Sequence, residues 1–403
     1  PDYGPAKFNA RAGATAIGAR DFLIAYNVNL NTTSVRRANS VAFDVREKGR
    51  VKREGNPITG KVVNDAEGNP VREPGMCKGV KGIGWYIEEY GIAQISMNLT
   101  NIQQTPLHVA FEACQTSAQN RGLRVTGSEL VGLVPKRVMI ETGLHFLRKQ
   151  RRSVGVAESE VIKIAVKSLG LDELGPFDPK KKIIEYVLEG EDAHPLLDMD
   201  LQKFADETAS ESVAPGGGSI SAYVGALGAS LGTMVANLSA NRRVWDERWE
   251  EFGDWAAQGE TVKAALLGLV DEDTRAFNRI IDAVRLPKGT DAEKATRKEA
   301  IQEATKYATE VPFRVMTKAL ESFYLLKNMA EIGNPNSVSD AGVGALCARA
   351  AVYGAYLNVQ INAKDLQDQA YVEDILARAA SVAEQADQLE KEILQIVQQK
   401  MEQ

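Results

Sequence analysis

Histidine and cysteine are scarce in this 403-residue chain, three of each, and that scarcity excludes more chemistry than any other feature of its composition. Cys77, Cys114 and Cys347 are far apart and odd in number. They form neither a disulfide framework nor a zinc pattern, so a reducing, cytoplasmic compartment is expected. No histidine follows His194. The C-terminal half therefore has no Ser-His or Cys-His arrangement and no basis for a metal cluster, and no metal is expected. His108 and His145 are isolated residues in helical stretches, where a lone histidine is ordinarily structural. Excess positive charge is also lacking. Lys and Arg total 48 against 54 Asp and Glu, a net charge of −6, which gives no support for a nucleic-acid partner. No signal peptide is visible at the start.

One uncharged run is longer than all the others. From Val213 to Ala240 there is no charged residue. The run is long enough to cross a bilayer. It consists mostly of Ala, Gly and Ser, whose insertion is at best weakly favourable, and everything after it is amphipathic and charged, so no membrane span is expected. A helix apolar on all sides fits the centre of an all-helical domain, with Gly225, Gly228 and Gly232 admitting close neighbours. Ahead of it, Pro215, Gly216, Gly217 and Gly218 suit a loop, and Ser219 suits the N-cap of the helix. Such a loop offers free N–H groups to an anionic or polar ligand, although three glycines alone are a weak signal.

The rest of the chain divides by pattern. A strand over 21–30, a helix over 32–49, a polar loop or hairpin over 50–81, two strands within 82–100, a helix over 106–120 and a strand within 122–134 give the order β-α-β-β-α-β. This is the split βαβ, ferredoxin-like arrangement. Helices over 137–152 and 158–169 follow, then a Pro-, Gly- and Lys-rich segment carrying a short strand at 183–188. After Leu196 every long segment has helical spacing. The expected architecture is an α+β ferredoxin-like domain (1–177), a linker (178–195) and an all-α helical bundle (196–403).

Carboxylates and amides are the remaining candidates for chemistry. In Leu-Val-Asp-Glu-Asp-Thr-Arg-Ala-Phe (269–277), Asp271 stands one turn before Arg275, as in a solvated ion pair. Asp273 has Leu269, Val270, Ala276 and Phe277 as helical neighbours. A carboxyl group on an apolar stripe is desolvated, its pKa rises, and it becomes a candidate general acid/base; the alternative is a bridge to a neighbouring helix. Ser337 and Asp340 resemble a capping box. Asn358 and Asn362 lie one turn apart on an apolar helix and either join helices or hold a ligand. Asn27 and Asn29 share one face of the first strand, where solvation is the ordinary reading.

Ala-Pro-Gly-Gly-Gly-Ser (214–219), the 269–277 stretch, Arg-Leu-Pro-Lys (285–288) and Gly-Ala-Tyr-Leu-Asn-Val-Gln-Ile-Asn (354–362) together resemble the cyclodeaminase domain of formiminotransferase-cyclodeaminase. Asp-Tyr-Gly-Pro (2–5), residues 18–30, Gly-Ile-Gly-Trp-Tyr (82–86), Glu-Leu-Val-Gly-Leu-Val-Pro (129–135) and Pro-Phe-Asp-Pro (176–179) resemble the C-terminal subdomain of its formiminotransferase domain. The resemblance implies a folate enzyme of histidine degradation. One activity would move a formimino group between formiminoglutamate and tetrahydrofolate. The other would close 5-formimino-tetrahydrofolate to 5,10-methenyl-tetrahydrofolate with loss of ammonia. The family's cyclodeaminase aspartate matches Asp273. Gly216, Gly217, Gly218, Ser219, Asp340, Asn358 and Asn362 would surround the folate, free or polyglutamylated. Asp2, Tyr3, Gly4, Pro5, Asn27 and Asn29 would form half of a transferase folate site. The resemblance implies a homo-oligomer through the helical domain. It also leads to the expectation that the N-terminal transferase subdomain, with its histidine, is missing. A methenyltetrahydrofolate cyclohydrolase-like enzyme and a non-catalytic folate-binding or assembly module are the competing readings. The 50–81 stretch has no functional reading.

Overall fold

In the computed structural model, described for all residues except 1, 2, 5, 8, 12, 20, 21, 57, 58, 190–193 and 403, the chain forms two compact units. One comprises Pro1–Gly143 with Ile162–Leu188, and the other Leu144–Val161 with Glu189–Gln403.

In the first unit, β1 (Ile24–Leu30) is followed by α1 (Val35–Val45), whose N-cap Ser34 accepts from the Arg37 N–H at 3.4 Å. The 50–81 stretch holds a short hairpin, β2 (Arg50–Val51) with β3 (Arg72–Glu73). Then come β4 (Val80–Ile87), β5 (Ile92–Leu99), α2 (Leu107–Gln119) and β6 (Val125–Val131). Gly91 makes the β4–β5 turn at φ +64°. The four long strands form one antiparallel sheet in the order β4-β5-β1-β6. Ile24, Tyr26, Val28 and Leu30 alternate onto its buried face. There α1 lies so close that a Cβ on Gly84 would stand 2.2 Å from the Asn39 backbone nitrogen. The Asn39 amide clamps the approach, donating to Gly84 O at 3.1 Å and accepting its N–H at 3.0 Å.

Helices α3 (Lys136–Lys149), α4 (Glu158–Leu169), α5 (Pro179–Lys182) and α6 (Ile184–Glu189) follow. The strand expected at 183–188 is instead helical. Only Ile183 makes a bridge, parallel to Val134, and Asp178 caps α5 so that the chain turns rather than extends.

The helical unit adds α7 (Leu201–Thr208), α8 (Gly217–Ala240), α9 (Trp249–Arg285), α10 (Asp291–Ile332), α11 (Val338–Ala363) and α12 (Gln369–Met401). Helix α8 is the core, packed by α9, α10 and α11. It is long and apolar enough to cross a membrane, and 61% of its apolar window is buried inside the unit. Its small residues permit this. Added Cβ atoms would stand 3.1 Å from Ala351 Cβ at Gly225 and 2.9 Å from Gly344 O at Gly228. These contacts run α8 antiparallel to α11. Two expected caps differ. Helix α8 begins two residues before Ser219, with Gly216 as its N-cap. The Ser337–Asp340 capping box does not form, because Ser337 is buried without a capping bond and Asn334 caps the preceding turn.

Candidate active site at the head of the central helix

The first turn of an α-helix has N–H groups with no helical acceptor. In α8 one of them, the Ser219 N–H, donates to Asp273 Oδ2 of α9 at 2.9 Å. The Ser219 hydroxyl lies 3.2 Å from the same oxygen. The other oxygen rests on Gly218, where a Cβ would stand 2.2 Å from Oδ1. No side chain fits between that backbone and the carboxyl group. A Cβ on Gly217 would stand 3.3 Å from Asn358 Nδ2 of α11, so the amide closes the same corner. Asn358 itself donates to Gly354 O at 2.8 Å.

Burial pushes the Asp273 carboxyl up from its ordinary value, opposed by the two hydrogen bonds from Ser219. Asp273 Oδ1 has no hydrogen-bond partner among the described residues. A desolvated carboxyl group with one oxygen anchored and the other open is equipped to take and return a proton.

The structure sorts the other candidates. Asp340 is at the far end of α11, about 27 Å from Asn358 at the helical rise, and does not join this corner. Asn362 donates to Ala308 O of α10 at 2.8 Å and joins two helices. Ser219 is fully buried, so it meets Asp273 rather than solvent. The expected Asp271–Arg275 ion pair is absent. Asp271 is buried, accepting from the Leu196 N–H at 2.9 Å with His194 Nδ1 3.9 Å away. Arg275 pairs at 2.9 Å with Glu272, which also accepts from Tyr307. Burial raises the Glu272 carboxyl, but Tyr307 and Arg275 hold it below its ordinary value. Phe277 is exposed, so the apolar stripe around Asp273 is narrower than its spacing suggests.

In the sheet unit Asn27 and Asn29 are buried, not solvated. Asn27 donates to Glu129 at 3.4 Å; Gln94 donates to Asn29 at 2.7 Å and accepts from Trp85 at 3.2 Å. Asn29 Nδ2 is buried without a partner. Tyr3 is 93% exposed and packs against neither asparagine, and Gly4 occupies an exposed bend. Asp2 and Pro5 lie outside the described residues. Gln94 is the member that the sequence gave no reason to select.

A family model described as formiminotransferase-cyclodeaminase matches residues 200–381, and one described as formiminotransferase domain matches 25–189. The formimidoyltransferase-cyclodeaminase of Mus musculus is 39% identical over 389 residues, covering 96% of this chain and 68% of the mouse protein. The chain belongs to the formimidoyltransferase-cyclodeaminase family. Each half of this family member also has relatives of its own. The methenyltetrahydrofolate cyclohydrolase of Methylorubrum extorquens is 38% identical over 201 residues, 50% of this chain and 97% of that protein. The glutamate formimidoyltransferase of Thermoplasma acidophilum is 35% identical over 148 residues, 37% of this chain and 40% of that protein.

Proposed function

We propose that the helical unit is a formimidoyltetrahydrofolate cyclodeaminase, a lyase of histidine degradation with Asp273 as its acid/base. The observation that carries this reading is the Asp273 carboxyl group, raised by burial, anchored through Oδ2 to Ser219 and open at Oδ1. N10 of 5-formimino-tetrahydrofolate attacks the carbon of the protonated formimino group (N5–CH=NH2+) and forms the new C–N bond. Asp273 takes the N10 proton and returns it to the departing nitrogen. The old C–N bond breaks, and ammonia and 5,10-methenyl-tetrahydrofolate result. Gly216, Gly217 and Asn358 would border the folate; its tail, free or polyglutamylated, would lie outward.

The similarity to a cyclohydrolase favours one second reading, in which the same carboxyl group activates water against the methenyl carbon. Asp273→Asn tests the first. Formation of methenyl-folate from 5-formimino-tetrahydrofolate should fall by about 10²–10⁴-fold with folate still bound. Equal rates in both proteins would remove Asp273 from the mechanism. Formyl-folate without ammonia would favour the cyclohydrolase, and binding without turnover in either protein would favour an assembly module.

The strand order and antiparallel pairing support a ferredoxin-like reading of the sheet unit. Its polar face around Asn27, Asn29 and Gln94 would contribute to formimidoyl transfer. On this reading the transferase half covers 1–177 and the cyclodeaminase half 196–403. Exposed Leu227, Met234 and Leu238 on α8 and Val343, Leu346 and Leu357 on α11 recur at helical spacing and would be covered in a homo-oligomer. The three free cysteines suit a cytoplasmic setting.

A further inference from the structure

Inside the bundle helices, Ser221, Ser230, Thr233, Ser239, Thr305 and Thr309 each donate to the carbonyl four residues earlier. Thr274, beside Asp273, does not. Its hydroxyl oxygen is buried without a partner. The carbonyl it would use belongs to Val270, and that oxygen accepts from Ser219 Oγ at 2.9 Å. A carbonyl oxygen has two lone pairs. One serves the α9 helix; Ser219 occupies the other.

Ser219 Oγ is also 3.2 Å from Asp273 Oδ2. A hydroxyl group has one proton to donate, so Ser219 serves Val270 or Asp273 but not both. Two arrangements follow. With a proton on Oδ2, Asp273 donates to Ser219, Ser219 donates to Val270 and Thr274 is idle, the arrangement that the unpartnered Thr274 hydroxyl fits. With Asp273 ionised, Ser219 turns its proton to Oδ2, the Val270 oxygen is vacated, and Thr274 donates to it.

We propose that Ser219, the Val270 carbonyl and Thr274 form a two-position hydroxyl switch that gives Asp273 a hydrogen-bond partner in both of its protonation states. Ser219 and Thr274 are positioning residues; neither reaches substrate. The Ser219 hydroxyl turns about its own C–O bond, the Thr274 side chain turns about χ1 to bring its hydroxyl to the vacated Val270 oxygen, and the one proton that leaves is that of Asp273. The switch keeps Oδ2 in place whether the carboxyl group is charged or neutral, leaving Oδ1 to face the folate without reorganisation. The Thr274–Val270 bond exists only beside the carboxylate, so it favours the ionised, base-ready form.

Few other groups act on this equilibrium. Helix α8 is uncharged throughout. On α9, Asp271 is held by the Leu196 N–H with His194 Nδ1 3.9 Å away, and Glu272 by Arg275 and by Tyr307 of α10. Helix α11 presents Asn358.

The inference rests on Asp273 being the acid/base, and its test is independent of turnover. The Asp273 carboxyl carbon is titrated by ¹³C NMR in the ligand-free full chain, its signal assigned by its loss in Asp273→Asn. Thr274→Val should raise the titration midpoint by about half a unit to one unit, the size of one net hydrogen bond. Thr274→Ser, which keeps the hydroxyl, should titrate like the wild type. In a Ser219→Ala background the Val270 oxygen is free in both states, so Thr274→Val should then shift nothing. An unmoved midpoint in Thr274→Val, or an equal shift with and without the Ser219 hydroxyl, overturns the switch. Coupled titrations in a protein that turns over no folate would leave the switch standing and reject the proposed activity.

Discussion

The Asn362 side-chain amide donates to Ala308 O at 2.8 Å, and Ala308 stands four residues before Pro312, inside helix α10. Proline has no N–H, so the helix leaves that carbonyl without its donor. Asn362 supplies the missing bond from α11. Asn362→Ala should destabilise the helical unit by about 1–3 kcal/mol in denaturant unfolding, the cost of stranding a buried carbonyl. In a Pro312→Ala chain, where the helix regains its own N–H, the same change should cost markedly less.

Gly218→Ala should reduce turnover by about 10²-fold while sparing the fold. The added methyl carbon meets Asp273 Oδ1 at 2.2 Å, so the carboxyl group must move from the corner. A displacement on the order of 1 Å costs about 10²-fold in rate. Steady-state rates beside far-ultraviolet circular dichroism check this; a fully active Gly218→Ala chain would contradict the geometry.

Burial raises the Asp273 carboxyl in the folded chain. Its stabilising contribution is therefore present below the unfolded carboxylate range and is lost as pH rises through the folded value. Asp273→Asn cannot ionise. It should be more stable than the wild type at neutral pH, and the advantage should shrink as pH falls into the ordinary carboxylate range. Melting temperatures of both proteins across pH measure this difference.

Asp271 is buried, with one oxygen on the Leu196 N–H and the other near His194. Asp271→Ala strands that N–H and should lower stability by about 1–3 kcal/mol, read by chemical denaturation. Asp271→Asn, which keeps an acceptor, should lose less.

Leu346 and Leu227 are exposed on α11 and α8. If their face is shared between copies of the chain, Leu346→Glu should reduce the sedimentation coefficient in analytical ultracentrifugation without changing helix content. An unchanged coefficient would place the oligomer contact elsewhere.

Much of this fold is readable as periodicity. The helix at 291–332 is bounded by Thr290 and Glu293, a capping box that forms as spaced, and by the glycine and proline after Ile332. The strand expected at 183–188 misleads because Ile-Ile-Glu-Tyr-Val-Leu is apolar enough for either state, and in the fold only Ile183 pairs, with Val134, before the chain turns into helix. Asp271 and Asp273 show the limit for side chains. Helical spacing assigns Asp271 to the surface with Arg275, yet the segment at Leu196 folds over it and buries it. Spacing within one helix cannot report what a distant segment covers.

The sequence by itself determined most of the succession of elements and the order of a sheet region before a helical one, and it marked Asp273 as the acidic residue on an apolar stripe. Those depend on local propensity and on burial pattern along the chain. Tertiary structure alone decided that Gly218 is the surface Asp273 rests on, that Ser219 meets the carboxyl group rather than capping its helix, that Asn362 mends the gap at Pro312, and that Asp340 lies a helix length away. The physical reason is the same in each case. An orphan N–H, an empty lone pair or a missing Cβ is a local fact, but the group that satisfies it comes from another helix, and only packing brings the two together.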